Sequence, residues 1–219
     1  MNKQPGIIFD LDGTLYPIMG RDGTFSNSDF YQDLKSKMYR YLSDVLGISD
    51  ETARSEYSRI NCAFNGDVSI GVEKEFGISR YEWFDNTWSL DPANYIEKPT
   101  NELKEILKPV ADRSLVLTAA PSAWAYPVLG FLGISDLFKN RVITGESDIR
   151  KPSTEVFRQA ADMLQRNCYD MISVGDQNES DILPAKKLGM ITIKVGAPAG
   201  DADYFVRNAI DAINLARSL

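Results

Sequence analysis

Four carboxylates, a hydroxyl and an ammonium stand where apolar runs of this sequence stop. Asp10 and Asp12 follow Gly6-Ile7-Ile8-Phe9, Thr118 follows Leu115-Val116-Leu117, and Asp176 and Asp181 follow Met171-Ile172-Ser173-Val174. Lys151 lies at a loop-to-helix boundary. Ligands of an open parallel sheet bind beyond the carboxyl ends of its strands, so these six side chains are expected to meet at one edge. A site rich in carboxylate oxygens suits magnesium. Magnesium with a lysine suits a phosphoryl group, whose transfer needs charge stabilisation and in-line positioning. The chain has no histidine, which excludes imidazole acid–base catalysis, Ser-His and Cys-His pairs and histidine metal sites. Carboxylates must then move any protons.

The elements that hold these groups are legible from periodicity. Gly6–Phe9 is a short, wholly apolar run, as expected of a strand buried on both faces. From about Arg21 to Lys98 the pattern becomes helical. Phe30, Leu34, Met38, Tyr41, Leu42 and Val45 share one face of a helix stopped by Gly47. Asp50 is placed to cap a second helix with Ala53, Tyr57, Ile60 and Phe64 inward, ending at Asn65-Gly66. Val68, Val72 and Phe76 mark a third. Ser79-x-x-Glu82 is a capping-box pattern for a fourth, with Tyr81, Phe84 and Trp88 inward. After Pro99 helices and strands alternate, down to an edge strand at Tyr204–Val206 and a final helix. That alternation predicts an α/β fold, a doubly wound parallel sheet with helices on both faces. The expected domains are a core of residues 1–20 and 99–219 and an inserted all-helical cap of residues 21–98, with hinges near Arg21 and Pro99.

Composition narrows the partners. A net charge of −7 and no basic run argue against a nucleic-acid polymer. No apolar run approaches a membrane span. Cys62 and Cys168 are too few for a disulfide framework, so a reducing compartment is expected, with Cys62 as a small core residue. Met1–Pro5 leads straight into the first strand, which leaves no room for a signal peptide, and the expected location is the cytoplasm. Oligomeric state is not readable.

Taken in order, Phe9-Asp10-Leu11-Asp12-Gly13-Thr14-Leu15, Leu117-Thr118-Ala119-Ala120, Arg150-Lys151-Pro152 and Val174-Gly175-Asp176-Gln177-Asn178-Glu179-Ser180-Asp181 resemble the four motifs of the haloacid dehalogenase superfamily. The resemblance spans residues 6–206 and implies a Rossmann-like core and a magnesium-dependent phosphatase. Asp10 would be the nucleophile and Asp12 the acid and base. Thr118, with Leu11, Gly13 and Ala119, would hold the phosphate, and Lys151 would neutralise charge. Asp10, the Asp12 carbonyl, Asp176 and Asp181 would hold magnesium, Asp181 directly or through water. A small phosphorylated metabolite is the implied partner.

Taken singly, these residues have plainer readings. Asp12-Gly13 is a common turn pair, Thr118 a capping hydroxyl, and Lys151 a solvated charge with Arg150 as rival for the inward position. Trp124 and Tyr126 either line the site or pack. Within the superfamily Asp12 argues against a dehalogenase, while a sugar phosphomutase would also keep it. A signalling receiver and a catalytically idle phosphate-binding regulator are the non-enzyme rivals. Phe9 to Pro17 followed by a helical cap is similar to the branch that dephosphorylates pyrimidine monophosphates, and Asn65-Gly66-Asp67-Val68-Ser69-Ile70-Gly71 partly matches a cap stretch of that branch. Asn65 and Ser69 are thereby expected to bind the leaving group, and Asp67 to repel di- and triphosphates.

Overall fold

The computed structural model describes residues 4–18, 25–97 and 99–219. The expected hinge residue Arg21 and the expected boundary residue Lys98 lie outside them. The chain divides into two compact units, Met1–Pro17 with Ile96–Leu219, and Ile18–Tyr95.

The first unit is a parallel sheet. Its strands are β1 (Gly6–Phe9), β2 (Ser114–Leu117), β3 (Val142–Ile143), β4 (Met171–Gly175), β5 (Ile191–Val195) and β6 (Tyr204–Val206). They lie in the order β3-β2-β1-β4-β5-β6, and every neighbouring pair is parallel. β1 is central, with Ile7 opposite Ser114 on one side and Ile172 on the other. Every residue of β1, β2 and β4 is buried, as continuous apolar runs require when both faces are covered. Ile8, Leu115, Leu117 and Met171 pack against Val156, Phe157, Ala160 and Ala161 of the helix Thr154–Met163. The helix Asn101–Leu107 packs on the last helix, Ala209–Ser218, which also contacts β5. This is the doubly wound α/β core anticipated from the alternation. Tyr204–Val206 is an edge strand, as expected.

The second unit holds four α-helices among its described residues: α1 (Asp29–Leu46), α2 (Asp50–Ala63), α3 (Val68–Phe76) and α4 (Arg80–Thr87). Its core includes Phe30, edge-on to Trp88 at 5.9 Å and Tyr95 at 5.5 Å between ring centroids. Several expected details shift. Ser49, one residue before Asp50, caps α2 by accepting the Thr52 N–H. Only half of the capping box forms: Ser79 Oγ accepts the Glu82 N–H, but the Glu82 carboxylate accepts from Tyr41 at 2.9 Å. The inner face of α4 is Arg80, Trp83 and Thr87, and Tyr81 is 64% exposed. The larger indole wins the buried position, and Phe84 and Trp88 are left half-buried at the flank. Val45 and Cys62 are exposed rather than core residues.

Candidate active site

The chain leaves β1 at Asp10, whose N–H still donates to Val174 of β4 at 2.9 Å. Leu11 is fully buried, so Asp10 and Asp12 flank a side chain anchored in the core. A tight turn follows, with the Thr14 and Leu15 N–H groups donating to the Leu11 carbonyl, and it closes on a bridge between Asp12 and Tyr16. Gly13 sits in this turn at φ +81°, and a Cβ there would lie 2.6 Å from Asp176 Oδ2. Both conformation and space therefore demand glycine.

Lys151 is buried between two carboxylates, with Nζ 2.7 Å from Asp10 Oδ1 and 2.6 Å from Asp181 Oδ1. It, and not Arg150, is the inward cation. Asp181 rides on a π-helical turn, Asn178–Ile182, that follows β4. The α-helix that follows it is short, Leu183–Lys186. Such a turn widens the helix by one residue and redirects a side chain. Asp181 Oδ2 accepts the Gln177 N–H at 2.9 Å, and its carbonyl accepts from Ser173 at 3.0 Å. A Cβ on Gly175 would lie 2.3 Å from the Asp181 Cβ, so this carboxylate reaches Lys151 only past a glycine.

Asp10, Asp176 and Asp181 each offer an oxygen within 4.8 Å of the others. At that separation each ionised pair repels by roughly 3 kcal/mol or more at an effective dielectric constant of about 20. Burial, opposed by Lys151 and reinforced by Asp181 and Asp176, pushes the Asp10 carboxyl up to about 8. Burial and Asp181 push Asp176 up to about 6. Burial alone would lower Lys151, but Asp10 and Asp181 outweigh it and hold the ammonium protonated. Asp10 Oδ2 and Asp176 Oδ1 are buried with no hydrogen-bond partner among the described residues. Unpaired buried carboxylate oxygens in a surplus of negative charge fit a small divalent cation. Each Asp181 oxygen already has one partner, Lys151 on Oδ1 and the Gln177 N–H on Oδ2.

Asp12 has a different set of partners. Its Oδ1 accepts from the Tyr16 hydroxyl and from Trp124 Nε1 at 2.7 Å, and its Oδ2 lies 3.3 Å from Thr118 Oγ1. Thr118 also accepts the Ala120 N–H at 3.0 Å, and Ala119 is exposed beside it. Burial raises the Asp12 carboxyl against the opposing hydrogen bonds of Tyr16, Trp124 and Thr118. Spacing alone does not pair Tyr16 with Asp12, and it leaves Trp124 open. The only signal for either is its position, just after the first and second motifs. Tyr126 is 49% exposed.

The two segment residues of the helical unit behave differently. Asn65 is exposed, at φ 51°. Ser69 is buried, donating to Asp67 at 2.7 Å and accepting from Arg80 Nε at 3.0 Å. Asp67 is the N-cap of α3.

Two relatives are named glyceraldehyde 3-phosphate phosphatase. The chain is 25% identical over 205 residues to that of Methanocaldococcus jannaschii, covering 87% of this chain and 84% of that protein. It is 24% identical over 210 residues to that of Methanopyrus kandleri, covering 86% and 82%. Among solved structures, a haloacid dehalogenase-type phosphatase from Thermococcus onnurineus superposes with a TM-score of 0.64 at 20% identity, over 97% of each chain. A likeness at that identity speaks for the fold. A family model for haloacid dehalogenase-like hydrolases matches residues 5–189, a span that takes in the acidic cluster, Lys151 and the β1 turn alike. The chain accordingly belongs to the haloacid dehalogenase-like hydrolase family.

Proposed function

We propose that this chain hydrolyses the phosphomonoester of a small metabolite through a phosphoryl-aspartate on Asp10. The observation that carries this reading is the convergence of Asp10, Lys151, Asp176 and Asp181 in one buried cluster at the strand ends. Asp10, the Asp12 carbonyl and Asp176, with Asp181 directly or through water, would hold magnesium, which would supply positive charge against the phosphoryl oxygens. The ionised Asp10 carboxylate attacks phosphorus without needing a base, while Lys151 orients it and offsets its charge. Asp12 gives its proton to the leaving oxygen as the phosphorus–oxygen bond breaks. It then takes a proton from water, which attacks the phosphoryl-aspartate and releases inorganic phosphate. The raised Asp12 carboxyl suits the first half of this cycle, because an acid must hold its proton until it is needed.

Asp12→Asn should therefore slow turnover by about 10²–10⁴-fold while leaving the melting temperature within a few degrees, as removal of acid–base catalysis does. Near-wild-type kcat in this variant would remove Asp12 from the mechanism.

Metal removal should be visible in stability as well as rate. The folded values of Asp10 and Asp176 lie above the ordinary value of 3.8. A raised carboxyl contributes stability that is complete below its unfolded value and is lost as pH climbs through the folded one. The metal-free protein should thus lose melting temperature between about pH 4 and pH 8, where the unfolded chain has released protons that the folded site still holds. Magnesium binds the ionised forms, so its stabilising increment should grow over the same range. Thermal melts with chelator and with magnesium at each pH check this, and an increment that stays flat, or full activity after exhaustive chelation, would sink the metal assignment.

Substrate class is decided by a panel of phosphomonoesters in magnesium, including glyceraldehyde 3-phosphate, hexose phosphates and nucleoside monophosphates. The names of the two relatives favour a triose phosphate. No turnover of any ester in the panel would refute the phosphatase reading.

A further inference from the structure

The Asp12 carboxyl is gripped on one oxygen by two aromatic side chains. Trp124 Nε1 lies 2.7 Å from Asp12 Oδ1 and 3.2 Å from the Tyr16 hydroxyl oxygen, and that hydroxyl itself hydrogen-bonds to Asp12 Oδ1. An indole N–H can only donate. It therefore fixes Oδ1 as an acceptor, and its second, longer contact leaves the Tyr16 proton to point at Oδ1 as well. Both rings are almost wholly buried, Tyr16 at 5% and Trp124 at 0% exposure, so neither can trade Asp12 for bulk water. Their backbones are fixed independently: Tyr16 by its bridge to Asp12, Trp124 within the helix Ser122–Phe131. Two donors hold Oδ1, whereas Oδ2 takes only the longer 3.3 Å hydrogen bond from the Thr118 hydroxyl, a rotor that can also accept, so Oδ2 is the oxygen able to carry a transferable proton.

We propose that Tyr16 and Trp124 are positioning residues for the acid–base step. Together they lock the plane of the Asp12 carboxyl and reserve Oδ1 as a pure acceptor. Oδ2 is thereby committed to exchanging the proton with the leaving oxygen and then with water. The inference rests on the phosphomonoesterase reading and adds the device that aims its acid. Neither ring touches the reacting atoms in this scheme. Their effect passes through Asp12, and misplacing a catalytic group by about 1 Å can cost on the order of 10²-fold.

A leaving-group comparison separates this role from packing. Wild type, Tyr16→Phe, Trp124→Phe and the double variant are assayed for kcat/KM with magnesium on phenyl phosphate, whose leaving oxygen needs a proton, and on 2,4-dinitrophenyl phosphate, whose leaving oxygen does not. Each single variant should lose about 10-fold or more on phenyl phosphate and less than about 2-fold on the dinitrophenyl ester, a partial loss of general-acid catalysis. The double variant should fall no further than Asp12→Asn on either ester, since all act through one carboxyl. The magnesium-induced rise in melting temperature reports an intact site in every variant. Tyr16→Phe removes a single oxygen and carries the test if Trp124→Phe does not fold. Equal losses on both esters, or no loss on either, would overturn the positioning role and leave the rings as packing. Failure of the wild type on both esters would instead overturn the phosphatase reading and take this inference with it.

Discussion

Asp10→Asn is expected to yield a folded protein without measurable turnover. An amide is no nucleophile toward phosphorus, and loss of a covalent nucleophile lowers kcat on the order of 10⁴-fold or more. The fold should survive because Lys151 keeps its 2.6 Å contact to Asp181. The variant should even melt at or above the wild-type temperature in chelator near pH 8, because it removes a buried carboxylate that ionises there only against opposition. With magnesium the order should reverse, since the variant has lost an anionic ligand. Phosphate release and paired melts test both halves, with mass spectrometry guarding against deamidation back to aspartate. Near-wild-type activity in a verified Asp10→Asn preparation would disprove covalent catalysis at this position.

The second large effect is predicted for Lys151→Met. The ammonium is buried and bridges Asp10 and Asp181, so its loss leaves two carboxylates facing one another without a cation. Breaking a buried pair in this way costs about 3–5 kcal/mol near neutral pH, a fall of roughly 6–20 °C in melting temperature for a chain of this size. Acidification should restore much of it by neutralising the carboxylates. Asp10→Asn in the same chain should also restore stability, giving a coupling in the double-mutant cycle well outside independent-site additivity. Activity should fall in the single variant as well, because the phosphoryl-aspartate loses its counter-charge. Wild-type stability of Lys151→Met in chelator at neutral pH would show that the ammonium does not balance this cluster.

The parts of the molecule legible in the sequence are those where one physical demand dominates. β1, β2 and β4 are buried on both faces, and their short, largely apolar runs suit a doubly covered sheet. The polar residues that end them can be collected because strand ends are where a parallel sheet leaves room. The aromatic grip on Asp12 is not legible, because an i to i+4 contact across a turn and a contact from Trp124 depend on backbone geometry that no periodicity encodes. Periodicity misplaces the inward face of α4 for a related reason. Tyr81, Phe84, Trp88 and Arg80, Trp83, Thr87 are both acceptable helical stripes, and packing chooses the second. Asp181 is found by its motif, but its route to Lys151 by way of a π-helical turn and a glycine comes only with the structure.

The placement of β1 bears on how the protein is made. Ile7 leaves the ribosome long before its partners Ser114 and Ile172. The helical unit Ile18–Tyr95 is continuous in sequence and can gather itself while the rest is still being translated. The strand that leads into Asp10 must wait, apolar on both faces and open along both edges, until β2 and then β4 have been synthesised. Such distant pairings are slow to form and leave a sticky segment exposed meanwhile. A nascent chain stalled before β4 would hold Asp10, Asp12 and Lys151 but neither Asp176 nor Asp181. The cluster of three carboxylates would be complete only when the fourth strand slides in beside the first.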